Sequence, residues 1–197
     1  MAARGLWFER ATSPVPLTLP AHPEVTARLQ AQLDEVLGDR PPQAADLPRL
    51  TLCDQVFAET LRLYPSAMAL PRQAVKPVTF GAYTFAPGTL ILAAAWCAHR
   101  DPRFWDEPLS FRPERFTAEA SAGRPRFAYF PFGGGARVCI GEAFAKMEGS
   151  LLLATLLQRF TPERLSDTAP IPETLFTLRP KGGLPVRLQR RTLIRSE

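Results

Sequence analysis

The chain has 197 residues, of which 46% are hydrophobic, and a formal net charge of +5. This composition is typical of one globular domain with a sizeable core. The chain contains no lysine- or arginine-rich run that would bind nucleic acid, and no apolar run near the ~20 residues of a membrane helix, so neither is expected. The mild, dispersed positive charge suits docking of an acidic protein partner.

The first part of the chain predicts two helices. Residues 1–21 are expected to be irregular, because their prolines break any helix. A helix is predicted from Pro23, a favoured first helical residue, to Gly38, which ends it. The second predicted helix runs from Thr51 to Tyr64, after a proline-containing loop. The apolar face predicted for the first helix consists of Val25, Leu29, Leu33 and Val36.

The middle of the chain predicts short strands, and a long helix follows. Between residues 66 and 100, strands are predicted at "VTF", "YTF" and "TLILAAAW", which alternate with glycine and proline. Residues 101–135 show little periodicity, which is typical of functional or disordered segments. A helix is predicted from Ile140 to Phe160. Its apolar residues at helical spacing are Ile140, Phe144, Met147, Leu151 and Thr155.

The tail predicts a β-hairpin, in which "LFTLR" and "LPVRLQ" flank the turn "PKGG". Together, these elements predict a mainly α fold with small β-sheets. The predicted domain covers residues 22–190, with an irregular segment before it and a tail at residues 191–197.

The three cysteines lie far apart, without a CxxC pair or a Cys/His cluster at zinc spacing. Their odd number and the lack of a signal peptide indicate a reducing compartment, so a cytoplasmic protein is expected. Cys53 on a helix and Cys97 at the end of a strand are expected to be buried thiols.

Cys139 differs from the other two because it follows three glycines and Arg137 and begins the long predicted helix. The first turn of a helix has free N–H groups and a positive dipole end, which stabilise a thiolate. Glycines allow the backbone to fold closely around the sulfur. These features suit a thiolate nucleophile or a single thiolate metal ligand, and a buried structural cysteine is the alternative.

The neighbours of this cysteine match the pattern F-x-x-G-x-R-x-C-x-G at Phe132, Gly135, Arg137, Cys139 and Gly141. In this pattern, the chain resembles the cytochrome P-450 family of haem-thiolate monooxygenases. The resemblance implies that Cys139 is the catalytic cysteine and the axial ligand of the iron of haem b, a ligation that favours O–O cleavage. It also implies that Phe132 shields the sulfur, Arg137 pairs with a haem propionate, and Gly141 allows close approach to the porphyrin.

The same resemblance implies that further residues bind the cofactor. Gly133, Gly135 and Ile140 belong to the loop around the sulfur. Arg72, in "ALPRQA", stands where the family often has a second propionate-binding residue, and a solvated arginine at a strand start is the alternative. His99, in "AHRDPRFW", is expected to be a hydrogen-bonded structural histidine.

Glu59 and Arg62, in "AETLRLYP", are spaced i, i+3 on the second predicted helix. On spacing alone they would form an exposed ion pair. Arg115 follows in "FRPERF", and the resemblance implies a buried triad of these three residues near the cysteine loop. A buried glutamate with two arginines requires full pairing, so the expected role is architectural.

Two apolar segments are implied to face substrate, with ordinary core as the alternative. The first consists of Ala67, Met68, Ala69 and Leu70, and the second contains Leu175 and Phe176. Their composition suits a small apolar substrate.

The resemblance covers residues 22–188, but only the C-terminal half of such a protein. The oxygen-binding helix, with its acid–alcohol pair, should precede Pro23, and residues 1–20 have no such pair. One hypothesis is a monooxygenase that uses O2 and electrons from NAD(P)H, delivered by a ferredoxin or flavin reductase. The alternative is an inactive, truncated remnant that binds haem weakly or not at all. A cysteine nucleophile is disfavoured, because no histidine stands near Cys139 in the sequence.

Overall fold

The hydrophobic core lies where three helices meet. The computed structural model describes residues 18–166, 171–174 and 177–192. The helices are α1 (Pro23–Leu37), α2 (Thr51–Leu63), α3 (Ala95–Ala98), α4 (Ala118–Ser121) and α5 (Glu142–Arg159). Side chains of α1, α2 and α5 form the core, together with Leu19, Leu50 and Phe111. Within the described residues, no helix combines the length and hydrophobicity needed to cross a bilayer.

Both helices predicted in the first part of the chain are confirmed. Pro23 occupies the first helical position of α1, and Gly38 ends the helix with a φ of +59°, which glycine adopts without strain. The buried face of α1 includes Val25, Leu29 and Leu33, as predicted. Leu37 completes this face one turn after Leu33, whereas Val36 is only partly buried.

The loop between α1 and α2 contains a 3₁₀ helix, Ala44–Arg49, that the sequence did not predict. Asp46 within it accepts hydrogen bonds from the Arg40 guanidinium at 2.7 Å and from the N–H of Gln43 at 2.9 Å. These two donors lower the pKa of Asp46 to about 2. Further 3₁₀ helices are Leu19–Ala21, Pro113–Phe116, Arg126–Ala128 and Gly135–Arg137.

Short antiparallel strands complete the fold, which confirms the predicted combination of helices and small β-sheets. The strands are β1 (Leu70–Gln73), β2 (Val78–Phe80), β3 (Tyr83–Phe85), β4 (Leu90–Ala93), β5 (Phe160–Arg164), β6 (Pro172–Thr174), β7 (Leu178–Pro180) and β8 (Val186–Arg190). In the described part of the chain, β1 pairs with β4 and β2 with β3. The strand predicted at "TLILAAAW" is correct only over β4, because the chain turns into α3 at Ala95.

The hairpin predicted for the tail is wrong. β7 pairs with β6, and β8 pairs with β5, which follows directly from α5. The glycines of "PKGG" do form a turn, since Gly182 and Gly183 have positive φ angles, but the strands on its two sides join different sheets.

The face of α5 that packs on the core differs from the predicted one. Its buried residues are Gly149, Ser150, Leu153, Ala154, Leu157 and Gln158. Ile140, which precedes the helix, is fully exposed, and Phe144 is 61% exposed. Small residues on the buried face bring α5 close to α2, because a Cβ on Gly149 would lie 2.3 Å from Cε2 of Phe57. The predicted apolar stripe therefore does not form the core contact.

We expect Gly149→Ala to lower the free energy of unfolding by about 1–3 kcal/mol, because the added Cβ overlaps the Phe57 ring. Urea denaturation followed by circular dichroism measures the change. Phe57→Leu removes the ring, so Gly149→Ala should cost less in that background. Equal costs in the two backgrounds would contradict the proposed contact.

Candidate functional site

A glycine-rich loop presents Cys139 at the surface. The N–H of Cys139 closes the loop by donating to the carbonyl of Phe132 at 2.9 Å. Gly133 and Gly135 have φ angles of +79° and +69°, which residues with side chains rarely adopt. The loop also touches β1, because a Cβ on Gly133 would lie 3.2 Å from Cδ1 of Leu70. The two glycines therefore shape the turn that leads to the cysteine.

Cys139 lies before α5 and not in its first turn, which corrects the prediction. Val138 has a non-helical backbone, with φ −59° and ψ 147°, and Gly141 is the N-cap, so the helix begins only at Glu142. The carbonyl of Cys139 accepts a hydrogen bond from the N–H of Glu142 at 3.3 Å. The cysteine is exposed, so the alternative of a buried structural thiol is wrong. A Cβ on Gly141 would lie 3.8 Å from Sγ, so glycine keeps the sulfur uncovered on that side.

Exposed apolar side chains flank the thiol. Val138 is 47% exposed, Ile140 is fully exposed and Phe144 is 61% exposed. We call these three residues the apolar strip. Arg137 is exposed beside it, whereas Phe132 is half-buried and packs against the core. Contiguous exposed apolar side chains usually mark a binding surface.

Two side chains from neighbouring elements hold the start of the loop. The hydroxyl of Tyr129 donates to the carbonyl of Ala58, in α2, at 3.0 Å. Burial raises the pKa of Tyr129 well above its ordinary value, so the hydroxyl remains a donor. The N–H of Phe130 donates to Nε2 of His99 at 2.9 Å. His99 is fully buried and hydrogen-bonded, as expected.

Sequence reasoning missed Tyr129 as an anchor of the loop. The available signal was the aromatic run "FAYFPF", since a buried tyrosine hydroxyl usually has a hydrogen-bond partner. Its ring also packs against His99, Trp105 and Phe116, with centroid distances of 5.1, 6.3 and 4.8 Å. These contacts join the loop to residues 99–116, which precede it in the chain.

The structure brings Glu59, Arg62 and Arg115 together in the interior. Arg62 donates to both carboxylate oxygens of Glu59, from Nε at 2.6 Å and from Nη2 at 2.8 Å. The side chains of Glu59 and Arg62 are 0% exposed, so this is not the exposed ion pair that spacing alone suggested. Nε of Arg115, a 9% exposed side chain, lies 3.5 Å from Oε1 of Glu59.

The buried pair of Glu59 and Arg62 also holds the backbone of residues 99–112. Arg62 donates to the carbonyls of His99 at 2.8 Å, Pro108 at 2.7 Å and Ser110 at 3.1 Å. Glu59 accepts a further hydrogen bond from the N–H of Arg112 at 2.8 Å. Because these groups satisfy both charged side chains, the pair is tolerated in the interior.

The strand that touches the loop carries Arg72. Arg72 lies in β1, two residues after Leu70, and its exposed side chain donates to the carbonyl of Pro71 at 2.8 Å. The predicted substrate-facing segment Ala67, Met68, Ala69 and Leu70 is half-buried. The N–H of Leu178 donates to the carbonyl of Ser66 at 2.9 Å, so β7 lies beside this segment. Leu175 and Phe176 lie outside the described residues.

The other two cysteines differ in exposure. Cys53 is buried, as predicted, and burial raises its pKa to about 12. Cys97 is exposed within α3, so the prediction of a buried thiol at a strand end is wrong. The described residues contain no group of three His, Cys, Asp or Glu side chains that could hold a metal ion. They offer Cys139 as a single ligand, which suits a metal already held in an organic cofactor.

Comparison with known proteins identifies the family in which the cysteine motif and the buried triad occur together. A sequence profile described as Cytochrome P450 matches residues 17–186. The chain belongs to the cytochrome P450 family. It is 39% identical over 177 residues to cytochrome P450 4V2 of Mus musculus, which covers 88% of this chain and 34% of that protein.

Two further relatives of this cytochrome P450 chain are named for the reactions they catalyse. Cyclooctatin synthase of Streptomyces melanosporofaciens is 38% identical over 166 residues, 84% of this chain and 35% of the relative. Steroid 17-alpha-hydroxylase/17,20 lyase of Ictalurus punctatus is 40% identical over 161 residues, 80% of this chain and 31% of the relative. The chain thus spans about a third of the length of the curated relatives it matches.

Membership of the cytochrome P450 family implies a haem cofactor, and the residues around Cys139 fit one. The exposed thiol supplies one soft ligand, and the apolar strip supplies a surface for a flat apolar ring system. Gly141 leaves space beside the sulfur, and the exposed Arg137 provides a guanidinium for a carboxylate.

We expect Glu59→Gln to lower the free energy of unfolding by about 3–5 kcal/mol, because Arg62 would stay charged in the interior without a carboxylate. Urea unfolding followed by circular dichroism measures the loss. The control is Glu173→Gln, which removes an ion pair with Arg179 at the surface and should cost less than about 1 kcal/mol. A loss for Glu59→Gln no larger than that of the control would contradict the architectural role.

We expect the free energy of unfolding to decrease as the pH falls from 6.5 to 4, because of His99. Burial lowers the pKa of His99 from 6.5 to about 4, and the charges of Arg62 and Arg100 act in the same direction. The unfolded chain therefore binds a proton in this window that the folded chain does not bind. The contribution of His99 is fully present above pH 6.5 and is lost as the pH falls through 4, by roughly 3 kcal/mol.

Urea denaturation at pH 7, 5.5 and 4.5 measures this loss, because these values sample most of the range between the two pKa values of His99. His99→Gln has no titrating side chain at this position and should flatten the decline between pH 7 and 4.5. An identical decline in the parent and the variant would assign the pH dependence to other groups.

Proposed function

We propose that this chain is the haem-thiolate part of a monooxygenase, with Cys139 as the axial ligand of the iron of haem b. The observation that supports the proposal most is the exposed thiol in a loop shaped by Gly133 and Gly135, beside the apolar strip. Bound through a thiolate, haem activates O2, because the thiolate donates electron density to the iron and favours O–O cleavage.

In this proposal, the loop holds and shields the sulfur. Phe132 covers the side of the loop that packs on the core, and Gly141 leaves the opposite side open to the porphyrin. Ile140 and the rest of the apolar strip, which are exposed, would cover one face of the ring and exclude water from it. Arg137 and Arg72 would bind the two propionates, since a guanidinium pairs with a carboxylate through two parallel hydrogen bonds.

Glu59, Arg62 and Arg115 serve as a scaffold and take no part in proton transfer. All polar atoms of the Glu59 carboxylate face donors, so the group is not free to abstract a proton from a substrate. Their contribution is to keep the segment that leads to the cysteine loop in one conformation.

The proposed substrate is a small apolar organic molecule. Ala67, Met68, Ala69 and Leu70 precede or begin the strand that touches the loop, and Phe176 is assigned to the same pocket from the sequence. One relative is by name a steroid hydroxylase, which agrees with an apolar substrate class. The proposed electron source is NAD(P)H through a ferredoxin or flavin reductase, and the proposed location is the cytoplasm.

A second candidate is a chain that binds haem weakly or not at all and catalyses nothing. The full exposure of Ile140 favours it, because a haem at this surface would be covered by the described residues on one face only. Haem that is open to water does not retain the solvent exclusion that oxidation of a substrate needs.

Reconstitution with haem tests both candidates. The reduced chain with carbon monoxide should give a Soret band at the position typical of thiolate ligation, and Cys139→Ala should lose that band. Cys97→Ala, which removes the other exposed thiol, is the control and should retain it. If the parent chain gives no such band, ligation by this chain is contradicted and the second candidate is favoured.

A further inference from the structure

His99 stands between the buried ion pair and the cysteine loop. Its carbonyl accepts a hydrogen bond from Nη1 of Arg62 at 2.8 Å, and Nε2 of its ring accepts one from the N–H of Phe130 at 2.9 Å. The same residue thus contacts the scaffold through its backbone and the loop through its side chain. The ring is fully buried, which leaves it little freedom to move.

Backbone hydrogen bonds continue from Phe130 to the cysteine. The carbonyl of Phe130 accepts from the N–H of Gly133 at 3.0 Å, and the carbonyl of Phe132 accepts from the N–H of Cys139 at 2.9 Å. Both polar backbone groups of Phe130 are therefore engaged, one with His99 and one within the loop. The bond to His99 connects this local network to the segment that Arg62 holds.

The hydrogen bond also defines the state of the ring. Because Nε2 accepts a hydrogen bond from the N–H of Phe130, the neutral imidazole carries its proton on Nδ1. Nδ1 makes no hydrogen bond of good geometry within the described residues, although the backbones of Arg62 and Leu61 lie close enough to the ring to act against the lowering of its pKa. Nε2 is therefore the ring atom that engages the cysteine loop.

We propose that His99 is a positioning residue for the cysteine loop, which it holds by accepting the hydrogen bond of Phe130 while Arg62 holds its carbonyl. The ring packs against Tyr129 and Phe130, with centroid distances of 5.1 and 5.3 Å, so its orientation is fixed as well. The consequence for haem ligation by Cys139 rests on the proposed function, whereas the consequence for the loop does not.

Amide hydrogen exchange of the haem-free chain tests the effect on the loop. The variants are His99→Leu, which removes the acceptor, and His99→Gln, whose amide oxygen can take the place of Nε2. We expect exchange in peptides covering residues 130–139 to be at least about tenfold faster in His99→Leu than in the parent, and to be largely restored in His99→Gln. If His99→Leu does not fold, His99→Asn replaces it, because its shorter side chain does not reach Phe130.

A matched control separates a local effect from general destabilisation. Gln158 is fully buried near the far end of α5, where Nε2 donates to the carbonyls of Gly38 and Arg40. Gln158→Leu should destabilise the chain without selectively increasing exchange in residues 130–139. Equal exchange of these residues in the parent, His99→Leu and His99→Gln would overturn the proposal, and so would an equal increase in Gln158→Leu.

The carbon monoxide spectrum tests the effect on the sulfur. In haem-loaded chains, His99→Leu should show a smaller fraction of the thiolate-type Soret band than the parent, and His99→Gln should recover it. An unchanged fraction in His99→Leu would overturn the link to Cys139. If no chain, including the parent, shows the band, the proposed function fails, and hydrogen exchange alone decides whether His99 holds the loop.

Discussion

The buried ion pair of Glu59 and Arg62 is the constraint on which the rest of the structure depends. Moving such charges out of water costs on the order of several kcal/mol per ion, so every polar atom of the pair needs a partner. Most of those partners are backbone groups in the segment that runs from His99 to Arg112. The charges of a helix thereby fix a segment that has little regular secondary structure of its own.

The same logic extends to the cysteine loop, whose backbone is also irregular. Tyr129 attaches it to α2, His99 attaches it to the segment held by Arg62, and Gly133 packs on β1. Side chains from three different parts of the chain thus replace the ladder of hydrogen bonds that a helix or sheet would supply. This arrangement leaves Sγ of Cys139 exposed while its backbone stays in place, which is what a ligand residue needs.

Sequence patterns predicted the elements whose signals are local. α1 and α2 have start and stop residues next to a regular apolar spacing, and both were found where expected. The pairing of β8 with β5 was missed, because strand pairing depends on contacts distant in the chain. The five motif positions do lie in and around one loop. The exposure of Cys139, however, depends on the backbone at Val138 and Gly141, which the spacing of apolar residues does not predict. The spacing of Glu59 and Arg62 alone suggested the wrong environment, and only the resemblance implied burial.

The error over the face of α5 shows how one helix contributes both to the core and to the proposed haem surface. Apolar spacing identifies the side chains that avoid water, but it does not say whether protein or a ligand covers them. The buried face of α5 is made of small residues such as Gly149 and packs closely on Phe57, whereas the larger Phe144 remains at the surface beside Cys139. The helix therefore separates the core from the proposed haem surface. A cofactor bound there only by the folded chain would stabilise the whole three-helix core, because its binding energy adds to the free energy of unfolding.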